Sequence, residues 1–333
     1  MIQNFIKIMS LRKVYVLNGE NLSCPIDILY DDKNDELYFQ YDLPPDISTD
    51  SIFDFYEKCQ QMSSIQRQFF LEPTHPTDKE ENKYQFVCCP GYYIQRFYTQ
   101  DSSCKTSCYE KLNEKDRLWI MKCFFSITCS IQILLSKGIK LINIYDKSFF
   151  IDSKMEARFS YSNWQNGFEN DSTFSKIRYF HPPEKLKRIS SEHTQEQNSD
   201  NIEKECVYSL GILITTLLTK ILPRAYLDGN PIPKLKQLLE EGDIFREKIP
   251  ECNWKKFITK CISKKPENRY DIKEIIEFLI KKENCLEGVN YDEFQKYIKR
   301  KFSINDEKID DTQLFKKIQT ELLRNDSKSS KKI

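Results

Sequence analysis

The hydrophobic rhythm of the chain changes part-way along. Between residues 11 and 42, short β-branched and aromatic runs (KVYVL, IDILY, ELYFQYDL) are split by the polar segments NGEN and DDKND, which predicts three strands. Ser, Thr and Asp at 48–51 suit a helix N-cap, and the stretch 48–71 predicts a helix. A polar, proline-bearing loop follows, LEPTHPTDKEEN. YQFVCC (84–89) then predicts a strand that stops at the turn signal Pro90-Gly91. From Asp116 the period lengthens. Trp119, Ile120, Cys123, Phe124, Ile127, Ile131, Leu134 and Leu135 recur at helical spacing, and Gly138 ends that helix. KLINIY and SFFIDS predict a short strand pair. Residues 185–205 are polar and predict an insertion or a disordered loop. Residues 207–218 are apolar all round, as a fully buried helix is. Trp254, Phe257, Ile258, Cys261 and Ile262 form one amphipathic face; Ile272, Ile275, Ile276, Leu279 and Ile280 form another. The last ten residues predict a solvated tail.

The order is strands, helix, strand, then helices. It predicts an α+β chain with a small β-rich N-lobe and a larger, mainly α-helical C-lobe. The divisions fall at 1–89 for the β-rich region, 90–282 for the helical region with its polar insertion at 185–205, and 283–333 for a helical C-terminal extension with a flexible tail.

Composition narrows the function. Apolar residues make up 39% of the 333, enough for a sizeable core. Lys and Arg number 51 against 50 Asp and Glu, so the net charge of +1 argues against a generally basic nucleic-acid binder. Only Gly19 lies in the first ninety residues, which excludes an N-terminal phosphate-cradling loop of the G-x-G-x-x-G type. The N-terminal apolar stretch is interrupted by Lys7 and lacks a small-residue cleavage site, so it does not read as a secretory signal. FFSITCSIQILL and VYSLGILITTLL fall short of the about 18 apolar residues of a membrane span and are broken by hydroxyls. The expectation is a soluble, cytoplasmic protein with no membrane span and no nucleic-acid partner. The 12 cysteines contain no C-x-x-C pair, and Cys104 and Cys108 have no further metal ligands close in sequence, so reduced, mostly buried thiols are expected. EGVNYDEFQKYI (287–298) looks like the exit half of an EF-hand. With Glu293 closing the loop, Lys282 and Leu286 would stand at ligand positions, and neither coordinates calcium. That segment reads instead as an amphipathic helix.

Four segments, in order and at matching intervals, resemble the C-lobe of the eukaryotic protein kinases. ILLSKGIKLINIYDKSFFID (132–152) resembles the helix, catalytic loop and following strand. IRYFHPPEKL (177–186) resembles the end of the activation segment, and CVYSLGILITTLLT (206–219) the central buried helix. WKKFITKCISKKPENRYDIKEIIEFL (254–279) resembles the last helices with an Arg between them. The hinge-like FVCCPG (86–91) adds a weaker fifth match. The resemblance implies the bilobal kinase-like fold.

It also implies a degenerate site. Set under the catalytic-loop pattern H-R-D-L-x-x-x-N, Asn143 stands at the catalytic Asp and Ser148 at the metal-binding Asn. An amide cannot take the substrate proton, and a serine is a poor magnesium ligand. Tyr161 stands at the metal-binding Asp of D-F-G, eighteen residues after Asn143, an interval similar to the family's. Gln40 sits near the phosphate lysine, and residues 14–32 contain no Lys or Arg to replace it. Glu57 stands where a helix glutamate would pair with that lysine, and equally reads as a solvated surface Glu. Cys206 replaces the Asp that opens the buried helix, while Tyr208, Ser209 and Gly211 keep the rest of its opening. Phe86 and Cys88 join Gln40 as cleft residues. Glu184 and Arg269 match the pair that ties the activation segment to the helical lobe.

The resemblance therefore implies a pseudokinase: a scaffold or allosteric regulator binding a protein partner through the helical lobe, the 185–205 loop or the 283–325 helices. No catalytic residue, cofactor or metal is expected, with ATP bound without magnesium left as an alternative. Two other readings stand beside it. One is a divergent active Ser/Thr kinase using Asp146 or Asp152. The other is an unrelated interaction protein built of strands and helices.

Overall fold

The computed structural model describes residues 11–17, 26–31, 36–42, 57–70, 83–88, 92–93, 109–139, 144–145, 148–152, 154–159, 180–190, 201–221, 246–306 and 308–324. The fold mixes helix and sheet and is mostly helical. Strands β1 (Leu11–Leu17), β2 (Ile26–Asp31), β3 (Glu36–Asp42) and β4 (Lys83–Cys88) form one antiparallel sheet in the order β1-β2-β3-β4. The register shifts between Lys13 and Tyr15, an irregularity of the bulge kind. A second sheet joins β5 (Tyr92–Tyr93), β6 (Phe149–Ile151) and β7 (Ala157–Phe159).

Between β3 and β4, residues 57–60 are helical and α1 (Ser64–Arg67) follows. A capping box at Ser63 and Gln66 starts α1. The amide of Gln66 is fully buried and donates to the carbonyls of Glu321, Leu322 and Arg324. It thereby satisfies carbonyls left open at the end of a helix more than 250 residues away.

Helix α2 (Glu114–Ser136) is the axis of the fold. Asn113 and Asp116 form a capping box at its start. At its end Gly138, at φ 69°, closes a Schellman turn: its N–H bonds to Leu135 and the Ile139 N–H to Leu134. By length and hydropathy this helix could cross a membrane, contrary to the expectation from its apolar run 124–135. In the structure 78% of its most apolar stretch is buried, packed against the other helices and β7. Its hydroxyls bond internally, Thr128 to the Phe124 carbonyl and Ser130 to that of Ile127, which makes them cheap to bury.

Helices α3 (Pro183–Ser190) and α4 (Ile202–Thr219) follow. The segment 185–205 is thus no continuous loop. Residues 185–190 complete α3 and 202–205 begin α4, where Glu203 bonds the Ile272 N–H and the Lys204 ammonium reaches Asp271 at 2.5 Å. Polar composition misled there because those side chains serve as contacts to the next helices. Helix α4 is buried nearly throughout, and Thr215, Thr216 and Thr219 each bond the carbonyl four residues back. A β-carbon on Gly211 would lie 2.5 Å from Ile262 Cγ2 and 2.9 Å from Cys261 Cβ, so glycine is what lets α4 approach α5 (Lys255–Cys261).

Helices α6 (Ile272–Ile280), α7 (Tyr291–Lys301) and α8 (Asp311–Leu322) complete the chain. Their apolar faces join α2 in one core. Phe125 meets Phe294 edge to face at 5.9 Å, and Phe257 stacks on Phe278 at 4.0 Å. The C-terminal extension therefore completes the core of the helical region. Lys282–Asn284 is a 3-10 turn and Leu286 is buried, so the EF-hand spacing belongs to a helix lead-in. Of the cysteines whose side chains are described, Cys59, Cys123, Cys129, Cys206 and Cys261 are buried.

Candidate functional site

Of the expected strand pair after α2, SFFIDS forms β6 and pairs with β7; Ile144 and Tyr145 are not strand, and residues 140–143 of KLINIY lie outside the described residues. Two turns control this region. Ser148 donates its N–H to the Tyr145 carbonyl at 3.0 Å, and its hydroxyl accepts the Tyr145 N–H at 3.3 Å. Ser148 is buried. Its oxygen is turned onto its own loop, where it holds the chain that leads into β6.

The β6–β7 turn is built on Asp152, also buried. One carboxylate oxygen accepts the N–H groups of Lys154 and Glu156, each at 2.9 Å; the other pairs with Arg158 Nε at 2.9 Å. These bonds hold Met155 in the left-handed region at φ 60°, a conformation costing about 1 kcal/mol for a residue with a side chain. Asp152 is therefore committed to the turn. Asp146, the other candidate replacement base, lies outside the described residues.

Glu156 extends the cluster toward the C-terminal helices. It receives Arg300 at 2.5 Å and the buried ammonium of Lys301. Lys301 also sits over the rings of Phe69, at 5.4 Å, and Tyr297, at 6.0 Å. Burial lowers its pKa from the ordinary lysine value, and Glu156 opposes that shift. Nothing in the sequence announced this cluster, because the run Lys299-Arg300-Lys301 contains two exterior cations and one interior one.

Glu184 and Arg269 come together across 85 residues. Arg269 Nη1 meets Glu184 Oε1 at 2.5 Å and Nη2 meets Oε2 at 2.9 Å, a two-point grip. Its other N–H groups reach the carbonyls of Ser263, Lys204 and Lys264 at 2.8, 3.1 and 3.5 Å. All five guanidinium donors are thus used. The Arg269 side chain is 0% exposed and that of Glu184 21%. The guanidinium stacks over Tyr208 at 5.0 Å, and Ser209 donates to the Phe180 carbonyl at 2.7 Å. Three positions of the buried helix, Tyr208, Ser209 and Gly211, therefore have packing roles around one junction. Cys206 is buried beside them, and burial pushes its thiol up to about 12.

The remaining expected site residues divide plainly. Asn143 and Tyr161 lie outside the described residues. Gln40 on β3 pairs in register with Asp27 of β2 and Gln85 of β4, Phe86 pairs with Phe39, and Cys88 with Leu37. Nothing is described of their side chains. Glu57 is exposed. Among the described residues no group of three or more His, Cys, Asp or Glu could hold a metal ion. No family model matches the chain, and no curated protein matches it in sequence.

Proposed function

We propose that the protein is a catalytically degenerate member of the kinase-like class, a cytoplasmic scaffold or allosteric regulator that binds a protein partner rather than transferring phosphate. The observation that carries this reading is the Arg269–Glu184 junction. It ties residues 180–190 to the start of α4 and to the turn before α6, which adjoin three of the four C-lobe segments of the kinase resemblance. A bilobal kinase-like architecture is part of the same proposal. Ser148 and Asp152 support the loss of chemistry. Phosphoryl transfer needs a free carboxylate to hold metal and another to orient the nucleophile. Ser148 supplies none, and the Asp152 carboxylate is occupied by two backbone N–H groups and Arg158.

Two measurements test the reading. The melting temperature of the full chain is expected to show no magnesium-enhanced rise when ATP is titrated to millimolar levels. Radiolabel from the γ-phosphate is expected to reach neither the protein nor a general substrate. Transfer that disappears in Asp146→Ala or Asp152→Ala would replace this proposal with a divergent active kinase.

A further inference from the structure

Along the exposed side of α5 lies an open groove of about 710 Å³. Among the described residues five cations line it, Arg246, Lys255, Lys256, Lys260 and Lys264, and no acidic side chain does. Its floor is Ile262, and Thr259, Ser263 and Asn268 bring hydroxyl and amide groups to the wall. Arg246, Lys256, Lys260 and Lys264 are exposed. Glu251 pairs with Lys255 from outside the groove. Lys256 and Lys260 stand one helical turn apart, a like-charge arrangement that weakens a helix and that an incoming anion relieves.

We infer that this groove docks an acidic peptide segment of a protein partner. A concave shape with an apolar floor, neutral hydrogen-bonding walls and a cationic rim suits an extended chain: an apolar side chain seats on Ile262 while flanking carboxylates meet the lysines. A membrane surface would need convex, exposed apolar groups. The large exposed hydrophobics among the described residues, Met155 and Leu323, are not in the groove. Single-stranded nucleic acid would need aromatic platforms for its bases. Among the described residues no ring lines the groove, and that of nearby Tyr270 is covered by the Lys260 ammonium at 3.7 Å. The inference uses only this groove and does not depend on the kinase-like reading.

The test is fluorescence anisotropy on the full chain. The probe is a short fluorescein-labelled peptide of glutamates around a central leucine, and the control has glutamines in their place. The glutamate peptide is expected to bind about tenfold or more tightly than the control, and to weaken as salt is raised. The triple charge reversal Lys256→Glu, Lys260→Glu, Lys264→Glu is expected to remove that preference at unchanged melting temperature. If the reversal unfolds the chain, the corresponding glutamine triple variant makes the same measurement. Equal binding of the two peptides, no binding at millimolar peptide, or a preference untouched by the substitutions would overturn the inference. So would tighter binding of oligothymidylate or of phosphatidylserine vesicles.

Discussion

Two buried cations hold the helical region together, and they do so by different physics. Arg269 is planar, permanently charged and wholly enclosed, and each of its five N–H groups has an acceptor. Lys301 is a point charge against one side of Glu156, with Arg300 on the same carboxylate and aromatic rings around it. Burial already lowers the Lys301 pKa, so this cation can shed its proton if its partner goes. Arg269 has no such escape. The difference teaches that a buried ion pair is only as costly to break as the surviving charge is difficult to neutralise.

Removing the carboxylates separates the two sites most sharply. Glu184→Ala leaves a charged guanidinium enclosed and is expected to cost about 3–5 kcal/mol, read as the loss of unfolding free energy in urea. If its melting temperature fell no further than that of an exposed-site variant, the junction would not be the keystone described here. Arg269→Lys keeps the charge but loses the two-point grip and the reach to several carbonyls; it is expected to cost about 2–3 kcal/mol. At the second site Glu156→Gln should cost only about 1–2 kcal/mol, because Lys301 can neutralise and one glutamine oxygen still accepts. A loss equal to that of Glu184→Ala would erase the contrast.

Lys301→Met sharpens it further. The stem stays apolar, Glu156 keeps Arg300, and the change is expected to cost less than about 1 kcal/mol at neutral pH. Its pH dependence gives the sign. The folded pKa of Lys301 lies below the unfolded value of 10.5, so between the two the unfolded chain binds more protons. The charged lysine therefore costs stability at neutral pH, and that cost fades as pH rises toward 10.5. The native protein should gain on Lys301→Met between pH 7 and 10. The enclosed thiols of Cys123, Cys206 and Cys261, whose pKa values burial raises, destabilise both proteins alike above pH 9 and cancel in the difference; Cys129 also feels the Lys301 charge, so the comparison is cleanest below pH 9. A flat difference would remove the titration from the account. The smallest effect belongs to Arg324→Ala. It breaks a loose, half-exposed pair with Glu321 at 3.7 Å and should change stability by at most about 1 kcal/mol.

Periodicity alone located the central helices to within a few residues. Residues 207–218 lie inside Ile202–Thr219, and 272–280 coincide with α6, because a buried stripe must repeat every 3.6 residues. It failed where polar side chains act as connectors. The segment 185–205 looked like a loop because residues such as Glu203 and Lys204 are hydrophilic. In the structure these two hold the α6 N-terminus and Asp271 respectively. At the end of KLINIY the apolar pattern suits a strand, but Ile144 and Tyr145 are buried and not strand, and Tyr145 opens the turn to Ser148.

The features legible along the chain are therefore local: the glycine that ends α2 and the apolar runs and faces of the central helices. Packing alone sets which charges are buried. Arg269 and Lys301 differ little from their exposed neighbours in sequence, and their fates depend on carboxylates 85 and 145 positions away. Hydrophobic burial follows a short period and can be read along the chain. Ion pairing depends on distances between distant segments, and those exist only once the helices have packed.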